Sequence, residues 1–303
     1  MAVEHGLAPA PGMRCNARVT MHSDYQLVRL ANGAFSIRDR AAGETFHPVI
    51  GPRAEAEALY VRPLRIRERL QSESGEFVIW DVGLGGAANI ATVLRSVQDL
   101  PGRLRVVSFD RTLEGLRFAL NHAHDLEYFA GWEDVCSALL EHRAISLARS
   151  ALKLDWDRHL GDFPVLLGRP EAAAWPKPHG ILFDAFSPAR NPDMWTAPLF
   201  ARLHEILDPR RPCMLATYSR STMLRVTLLL AGFHVGIGGA TGEKEETTIA
   251  ANTGDLIEHP LDRRWLGRAR RSRSAEPLRT PHYRQAPLST ESWDRLLTHP
   301  QFR

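Results

Sequence analysis

Short apolar runs alternate with stretches of helical apolar spacing through the middle of this 303-residue chain. The runs predict β-strands at 77–82, 104–109, 180–183, 213–217, 234–236 and 247–251. The spacing between them predicts helices at 89–97, from 112 onward, at 125–149 with a break, at 193–207 and at 221–231. Alternating strands and helices indicate an α/β fold with a mostly parallel, Rossmann-like sheet. The last two strands, joined by a short loop, predict an antiparallel closing hairpin at one edge.

The two ends of the chain have a different pattern. Residues 1–60 are punctuated by Gly and Pro and carry short alternating stretches, which predict a β-rich lead-in, with Pro52 able to begin a helix. Residues 256–303 are polar, contain Pro and are rich in Arg. We therefore expect three segments: the lead-in at 1–60, an α/β domain at 61–255 and a basic extension at 256–303.

Composition excludes several classes of protein. A hydrophobic share of 44% and a charged share of 24% are typical of a globular chain rather than a disordered or fibrous one. No apolar run is long enough to cross a membrane, and the first residues lack a secretion signal, so we expect a cytoplasmic protein. The cysteines at 15, 136 and 213 are too few and too scattered for a disulfide framework or a zinc site, and we expect no metal.

The net charge of +3 hides an uneven distribution. Between residues 263 and 284 eight arginines face a single acid, Glu276, which gives this segment +7 and leaves −4 for the rest of the chain. The arginines are at positions 263, 264, 268, 270, 271, 273, 279 and 284. Arginine binds phosphate oxygens in pairs, which points to nucleic acid. A solvated basic tail that packs on an acidic body is the alternative.

Three carboxylates stand at the ends of predicted parallel strands, where ligands bind in open α/β sheets: Asp81, Asp110 and Asp184. Asp81 precedes a loop with Gly83, Gly85 and Gly86 that lacks the Lys-Ser/Thr of a phosphate-binding loop and the third glycine of a dinucleotide fingerprint. Asp110 suits the hydroxyls of a ribose, in NAD or in S-adenosylmethionine. An acid before the loop and an antiparallel closing strand favour S-adenosylmethionine. The alternatives are purely structural: the glycines would form a tight turn between strand and helix, and Asp110 would cap the helix that follows.

The segment from Asp184 to Trp195 resembles the Asp-x-Phe-x-Pro-x-x-Asn-Pro-x-Met-Trp motif of MnmC-like tRNA methyltransferases. Other blocks occur in the family's order. They are Gly43-x-x-x-His47-x-x-x-Gly51-x-x-x-Glu55, Asp81-x-Gly83-x-Gly85, Gly161-Asp162, 215–219, 231–233 and Gly242-x-Lys244-x-Glu246. The match covers roughly residues 33–251. This chain has Asp81 where the family has Glu, and Glu245 where the family has Arg beside the last Lys.

The resemblance implies a methyltransferase fold that binds S-adenosyl-L-methionine and methylates 5-aminomethyl-2-thiouridine at the tRNA wobble position. It also implies a stand-alone methyltransferase without the fused FAD oxidase, and a functional link to an enzyme that makes the aminomethyl uridine. Asp184 would be catalytic. The cofactor would bind at Asp81, Gly83, Gly85, Gly86, Asp110 and Asp162. The substrate and the RNA would bind at His47, Pro188, Lys244, Arg263, Arg264, Arg268, Arg270 and Arg271.

Two other functions remain open at the level of the sequence. A methyltransferase of the same fold could act on a small-molecule amine or on another RNA. A non-enzymatic scaffold could keep the fold without binding the cofactor, although the joint presence of Asp81, Gly83, Gly85, Asp110 and Asp184 speaks against it. A dehydrogenase is disfavoured by the incomplete glycine fingerprint.

Overall fold

The computed structural model describes residues 24–242 and 245–303. Residues 1–23 of the expected lead-in, together with Lys244, lie outside the described residues. Within those two ranges, every helix is too short or too polar to cross a lipid bilayer.

The described strands form a small sheet and a large one. The small sheet contains β1 (Tyr25–Arg29), β2 (Phe35–Asp39) and β3 (Glu44–Thr45). The large sheet contains β4 (Glu76–Val82), β5 (Gly102–Asp110), β6 (Ala144–Arg149), β7 (Leu152–Leu160), β8 (Gly180–Phe183), β9 (Met214–Thr217), β10 (His234–Gly238) and β11 (Thr247–Ala251). Its order is β10-β11-β9-β8-β4-β5-β7-β6. The strands from β9 to β7 are parallel, whereas β11 and β10 at one edge and β6 at the other are antiparallel to their neighbours.

Helices connect these strands and cover both faces of the large sheet. In chain order they are α1 (Pro52–Ala56), α2 (Ile66–Ser72), α3 (Ala88–Val97), α4 (Glu114–Asn121), α5 (Ala123–Leu126), α6 (Glu133–Glu141), α7 (Phe163–Gly168), α8 (Ala197–Ile206), α9 (Thr222–Ala231), α10 (Arg263–Arg271) and α11 (Thr290–Leu297). A π-helical turn, Glu57–Val61, follows α1. Buried apolar side chains fill two layers, one on each face of the sheet.

The predicted α/β fold with a mostly parallel sheet and an antiparallel closing strand is confirmed. One stretch is wrong: residues 144–149 form strand β6 instead of the end of a helix, and β7 behind it was not predicted. The β6–β7 turn contains Ser150 with φ +54° and no glycine, so the usual hairpin signal is missing. Side chains of β6 alternate between exposed and half-buried, as an edge strand allows.

The lead-in and the basic extension both pack on the central domain. Ile37 of β2 and Ala56 of α1 belong to the same buried layer as Phe77 and Ile79 of β4. In α10, the buried side chains of Trp265, Leu266 and Ala269 join the layer formed with α8 and α9. The basic segment is therefore held by apolar contacts, as expected for an amphipathic helix. The division into three segments remains a prediction, since both ends share the central core.

The turn after β4 depends on Gly83. Its φ is +100°, and a Cβ built there would lie 2.6 Å from the carbonyl oxygen of Asp184. The absence of a side chain thus allows the loop after β8 to press against the loop after β4. The amide of Gly83 also donates a hydrogen bond of 2.9 Å to the carbonyl of Phe109, at the end of β5. One glycine therefore brings three strand ends together.

We predict that Gly83→Ala destabilises the protein much more than Gly131→Ala. Gly131 has a similar φ of +89°, but a Cβ there would meet no atom within 4 Å. The control variant should therefore lose only about 1 kcal/mol from backbone strain. Gly83→Ala should lose several-fold more, because the Asp184 backbone must move. Urea denaturation of both variants measures this, and equal losses would contradict the prediction.

Candidate active site

A cavity of about 430 Å³ opens at the carboxyl ends of β4, β5 and β8. This volume lies within the range of small-molecule sites. Its wall contains residues 82–86 of the glycine loop, the end of β5, the loop after β8 and residues 44–48, which we call the N-terminal strap. The site predicted at the strand ends is thus a single cavity, and the strap closes one side of it.

Asp110 anchors the glycine loop from the neighbouring strand. Its Oδ2 accepts a hydrogen bond of 2.8 Å from the amide of Gly85, and its Oδ1 accepts one of 3.2 Å from the amide of Thr112. Burial raises the pKa of Asp110, although backbone amides that include Gly85 and Thr112 oppose this. Each oxygen keeps a further lone pair. Asp110 does not cap α4, because that helix begins at residue 114. It lines the cavity instead, where it presents acceptors for ligand hydroxyls.

Asp81 lies behind the cavity wall and is only 1% exposed. Its Oδ2 accepts a hydrogen bond of 2.8 Å from Ser108, whose hydroxyl accepts one of 2.9 Å from the indole of Trp156. Its Oδ1 is buried and has no hydrogen-bond partner among the described residues. Burial raises the pKa of Asp81 to about 7, with smaller effects from Ser108, Asp184 and Asp110.

Asp162 is also off the cavity wall. The preceding Gly161 lines the cavity, but the Asp162 carboxylate is half exposed and pairs with the guanidinium of Arg111. Arg111 itself lines the cavity. The aromatic rings of Phe109 and Phe163 form the wall on this side, at a centroid distance of 4.9 Å. Asp162, which was predicted to bind the cofactor, thus pairs with an arginine at the rim, and the apolar wall on this side is aromatic.

Asp184 stands opposite the glycine loop with two polar partners. The amide nitrogen of Asn89, at the start of α3, donates a hydrogen bond of 2.8 Å to Asp184 Oδ2. His47 Nε2 lies 3.0 Å from Asn89 Oδ1 and 3.5 Å from Asp184 Oδ2. The hydroxyl of Tyr60 is buried next to this carboxylate and helps to lower the pKa of Asp184. These contacts fix the carboxylate in one orientation.

Asp184 and His47 each shift the pKa of the other toward its charged form. Burial alone would raise the pKa of Asp184, but hydrogen bonds and charge from His47, with hydrogen bonding from Asn89, outweigh burial and lower it. Burial alone would lower the pKa of His47, but Asp184 raises it, with a further contribution from Glu55. The side chains of His47 and Asp184 are 8% and 21% exposed. The structure therefore favours an ionised Asp184 that still reaches the cavity.

The N-terminal strap contacts both loops of the site. Glu44 accepts hydrogen bonds from the amide and the hydroxyl of Ser187, in the loop after β8. The ring of Phe46 packs 5.8 Å from that of Phe186 and lies against Gly85, where a Cβ would be 3.3 Å away. Through these contacts and His47, the expected lead-in supplies part of the cavity wall.

The structure brings together some of the predicted site residues and separates others. On the cavity wall are His47, Gly83, Gly85, Gly86, Asp110 and Asp184. Away from the wall are Asp81, Asp162, Pro188, Arg263, Arg264, Arg268, Arg270 and Arg271, while Lys244 lies outside the described residues. Sequence reasoning gave no role to Glu44, Phe46, Tyr60, Asn89 and Arg111. Asn89 could have been found as the polar residue that ends the glycine loop, whereas Glu44 and Phe46 carry no local signal.

The arginines of α10 form an exposed basic face. Arg263, Arg264, Arg268, Arg270 and Arg271 are all exposed, and none takes part in an ion pair with a described residue. Arg270 stacks over the ring of Trp293, 5.1 Å from its centroid. Burial lowers the pKa of Arg225 in α9, and the nearby charges of Arg268 and Arg220 lower it further against the effect of Glu246. Arg220 follows β9, so this basic surface extends toward the cavity edge of the sheet.

We predict that Asp81→Asn changes how stability depends on pH. The raised pKa means that native Asp81 keeps a proton between about pH 4 and 7 while the unfolded carboxyl loses it. The native protein therefore loses stability as the pH rises through this window. Asn cannot titrate, so the variant does not show this loss. The free energy of unfolding of the variant, relative to that of the parent protein, should therefore increase by up to about 4 kcal/mol between pH 4 and 7. Parallel curves in urea denaturation across that window would contradict the prediction.

Residues 132–253 match the family model described as S-adenosyl-L-methionine-dependent methyltransferase. A tRNA 5-methylaminomethyl-2-thiouridine biosynthesis bifunctional protein MnmC from Methylibium petroleiphilum is 28% identical over 248 residues, which cover 77% of this chain and 35% of the relative. The MnmC protein of Ralstonia nicotianae is 28% identical over 222 residues, which cover 69% of this chain and 32% of the relative. The chain thus spans about a third of the length of these curated relatives.

A solved structure is also similar to most of the chain. The crystal structure of MNMC2 from Aquifex aeolicus superposes with a TM-score of 0.67 at 25% identity and covers 92% of this chain and 86% of that one. These matches confirm the predicted resemblance, the fold and the cofactor class. The cavity fits that cofactor, because it combines exposed backbone at a glycine loop, the Asp110 acceptors and an aromatic wall. The chain thus has the fold and the cofactor class of S-adenosyl-L-methionine-dependent methyltransferases and is similar to the MnmC proteins.

Proposed function

We propose that this protein is an N-methyltransferase that converts 5-aminomethyl-2-thiouridine to 5-methylaminomethyl-2-thiouridine at the tRNA wobble position. The observation that carries the proposal is the position of Asp184. Its ionised carboxylate reaches the same cavity as the glycine loop and Asp110. An anionic group beside the cofactor region suits a substrate with a cationic amine. The MnmC relatives are named for the biosynthesis of tRNA 5-methylaminomethyl-2-thiouridine, which supports the uridine derivative as that substrate.

The cavity divides into two halves with different chemistry. The glycine loop, Asp110 and the aromatic wall would hold the cofactor, with Asp110 accepting hydrogen bonds from the ribose hydroxyls. The Oδ1 of Asp81 lies behind the loop and has no hydrogen-bond partner among the described residues. It would bind the amino end of the cofactor only if that end reached through the cavity wall. The other half, formed by Asp184, Ser187, Tyr218 and the N-terminal strap, would hold the amine-bearing base.

S-adenosyl-L-methionine, when bound, supplies an electrophilic methyl group. The protein must then orient the amine nitrogen toward that methyl, which is catalysis by proximity. Asp184 can accept hydrogen bonds from the amine and fix its direction. An ammonium has no free lone pair, so a proton must leave it before it can be methylated, and a carboxylate within hydrogen-bond distance can take that proton. The aminomethyl group itself must come from an earlier enzyme, because nothing in this chemistry creates it.

We predict that Asp184→Asn abolishes methylation while S-adenosyl-L-methionine binding persists. The amide keeps the shape of the side chain but loses the negative charge, so turnover should fall at least about 100-fold. Mass spectrometry of nucleosides from tRNA that lacks the methylation, incubated with each purified variant, measures turnover. Calorimetry measures cofactor binding.

Asp193→Asn is the matched control for this experiment. It changes an acid in the same loop, at a residue off the cavity wall, and should leave turnover nearly unchanged. Normal turnover of Asp184→Asn would refute the catalytic role. Methylation of free amines but not of tRNA by the parent protein would favour a small-molecule substrate, and failure to bind the cofactor would leave only a scaffold.

The basic face of α10 supports the proposal that the substrate is an RNA. Arg264 and Arg271, one on each end of the helix, lie opposite its buried stripe, where they would meet phosphates without reading sequence. Arg268 extends this surface toward the cavity edge. Arg270, stacked on Trp293, has a second role in holding α11 against α10.

We predict that Arg264→Ala with Arg271→Ala weakens tRNA binding and reduces its salt dependence. The slope of log K against log salt should fall by about one for each phosphate that the helix no longer binds. The matched pair is Arg103→Ala with Arg210→Ala, which removes two exposed arginines at or before the amino ends of β5 and β9, away from the cavity. Filter binding at several salt concentrations measures the slopes, and identical slopes for the two pairs would contradict phosphate binding by α10.

A further inference from the structure

The strap residue His47 makes contacts that the proposed catalytic role of Asp184 does not use. Its ring is almost fully buried, and its backbone adopts φ +47°, which is strained for a residue with a side chain. Nε2 is directed to Asn89 and Asp184, at 3.0 and 3.5 Å. Nδ1 is buried and has no hydrogen-bond partner among the described residues. Strain and burial are thus tolerated where the ring meets the Asp184 carboxylate.

Three side chains from distant parts of the chain form this cluster. His47 comes from the strap, Asn89 from the start of α3 and Asp184 from the loop after β8. Asn89 connects the other two, because its nitrogen donates to Asp184 and its oxygen accepts from His47 when Nε2 carries a proton. This arrangement fixes the Asn89 amide in one orientation and leaves the second Asp184 oxygen without a bond to either residue.

The His47 ring can exist in two protonation states, and its two nitrogens find different hydrogen-bond partners in each. A neutral ring with its proton on Nε2 donates to Asn89 and leaves Nδ1 as a buried lone pair. A charged ring gains attraction from Asp184 but leaves the Nδ1 proton without an acceptor among the described residues. Among the described residues, the charged groups that act on His47 are Asp184 and Glu55, and both raise its pKa against the effect of burial. The balance between the two states therefore depends on the charge at Asp184.

A cationic amine that pairs with Asp184 would change that balance. The new positive charge competes with the imidazolium for the same carboxylate. Binding of the amine and protonation of His47 then oppose each other, and the coupling is reciprocal. This step rests on the proposed function, since it requires an amine substrate at Asp184.

We propose that His47 is a positioning residue for Asp184: it holds the carboxylate through Asn89 and gives up its proton when a cationic amine pairs with that carboxylate. The proton balance of the reaction fits. A primary ammonium becomes a secondary ammonium as the positive charge of the methyl donor is lost, so one proton must leave in each turnover. His47 loses its Nδ1 proton to solvent when the amine binds and regains one when the product leaves, while Nε2 keeps its proton toward Asn89. Asp184 takes the proton that leaves the amine and releases it to solvent through the cavity, so the net loss is one proton in each turnover.

Two measurements test the proposal, and the first does not depend on the identity of the substrate. NMR of histidine-labelled protein follows the titration of His47 in the parent protein and in Asp184→Asn. Loss of the negative charge should lower the pKa of His47 in the variant. An unchanged His47 titration would overturn the proposal, whatever the protein methylates.

The second measurement separates KM from kcat across the pH range of that titration. In the parent protein, KM for the tRNA substrate should fall as the pH rises and His47 loses its proton. In His47→Gln, whose amide keeps a hydrogen bond to Asn89 but cannot titrate, this dependence of KM should disappear and kcat should fall about 10- to 100-fold. A KM profile in His47→Gln parallel to that of the parent protein would also overturn the proposal.

His159→Gln is the matched control. His159 is half-buried and stacks on the cavity residue Phe109 at 5.5 Å, but it does not contact Asp184. This variant should keep the KM profile of the parent protein. If the NMR titration responds to Asp184→Asn and the parent protein nevertheless fails to methylate tRNA, the proposed function fails while the His47–Asp184 pair stands.

Discussion

The crowding of carboxylates at one sheet edge is the constraint on which the site depends. Parallel strands place their carboxyl ends side by side, and this chain puts an aspartate within one residue of the end of β4, β5 and β8. The cavity wall carries four carboxylates, Glu44, Glu55, Asp110 and Asp184, but only Arg111 and His47 as basic groups among the described residues. Like charges in a buried cleft destabilise the fold unless each is neutralised, bonded or protonated. The three strand-end aspartates, Asp81, Asp110 and Asp184, are each stabilised in a different way.

The strand-end aspartates illustrate three ways to keep a buried carboxyl group. Asp81 has a single hydroxyl partner, and burial moves its pKa to about 7. Asp110 accepts backbone amides at both oxygens, which also fixes the glycine loop. Asp184 has a histidine and an amide, and its pKa is lowered despite burial. Of these three, Asp184 alone combines a stable negative charge with exposure to the cavity, which makes it the group best suited to a cationic ligand.

The parts of the structure that the sequence predicted are those specified locally. The central strands, the glycine turn and the acids at strand ends all follow from short apolar runs and the residues that end them. Of the strap, His47 was predicted to belong to the site, but Glu44 and Phe46 were not, because they act through Ser187 and Gly85, residues that are distant in the sequence. Strand β6 was missed because the turn that joins it to β7 has Ser150 at a positive φ and no glycine, so the usual hairpin signal is missing. The arginine cluster was visible in the sequence, but only the structure shows that α10 is anchored by Trp265 and Leu266.

The strap also explains how the two halves of the cavity are kept in register. Phe46 touches the glycine loop of the cofactor half, while Glu44 and His47 bind Ser187 and Asp184 of the substrate half. On the opposite side, Gly83 lets the same two loops meet backbone to backbone. The distance between the cofactor loop and Asp184 is therefore set from both sides. The absence of a side chain at Gly83 sets it on one side, and the Phe46 ring sets it on the other. Since transfer between two bound groups depends steeply on their separation, residues that never touch a ligand can govern the rate by holding these loops apart at one fixed spacing.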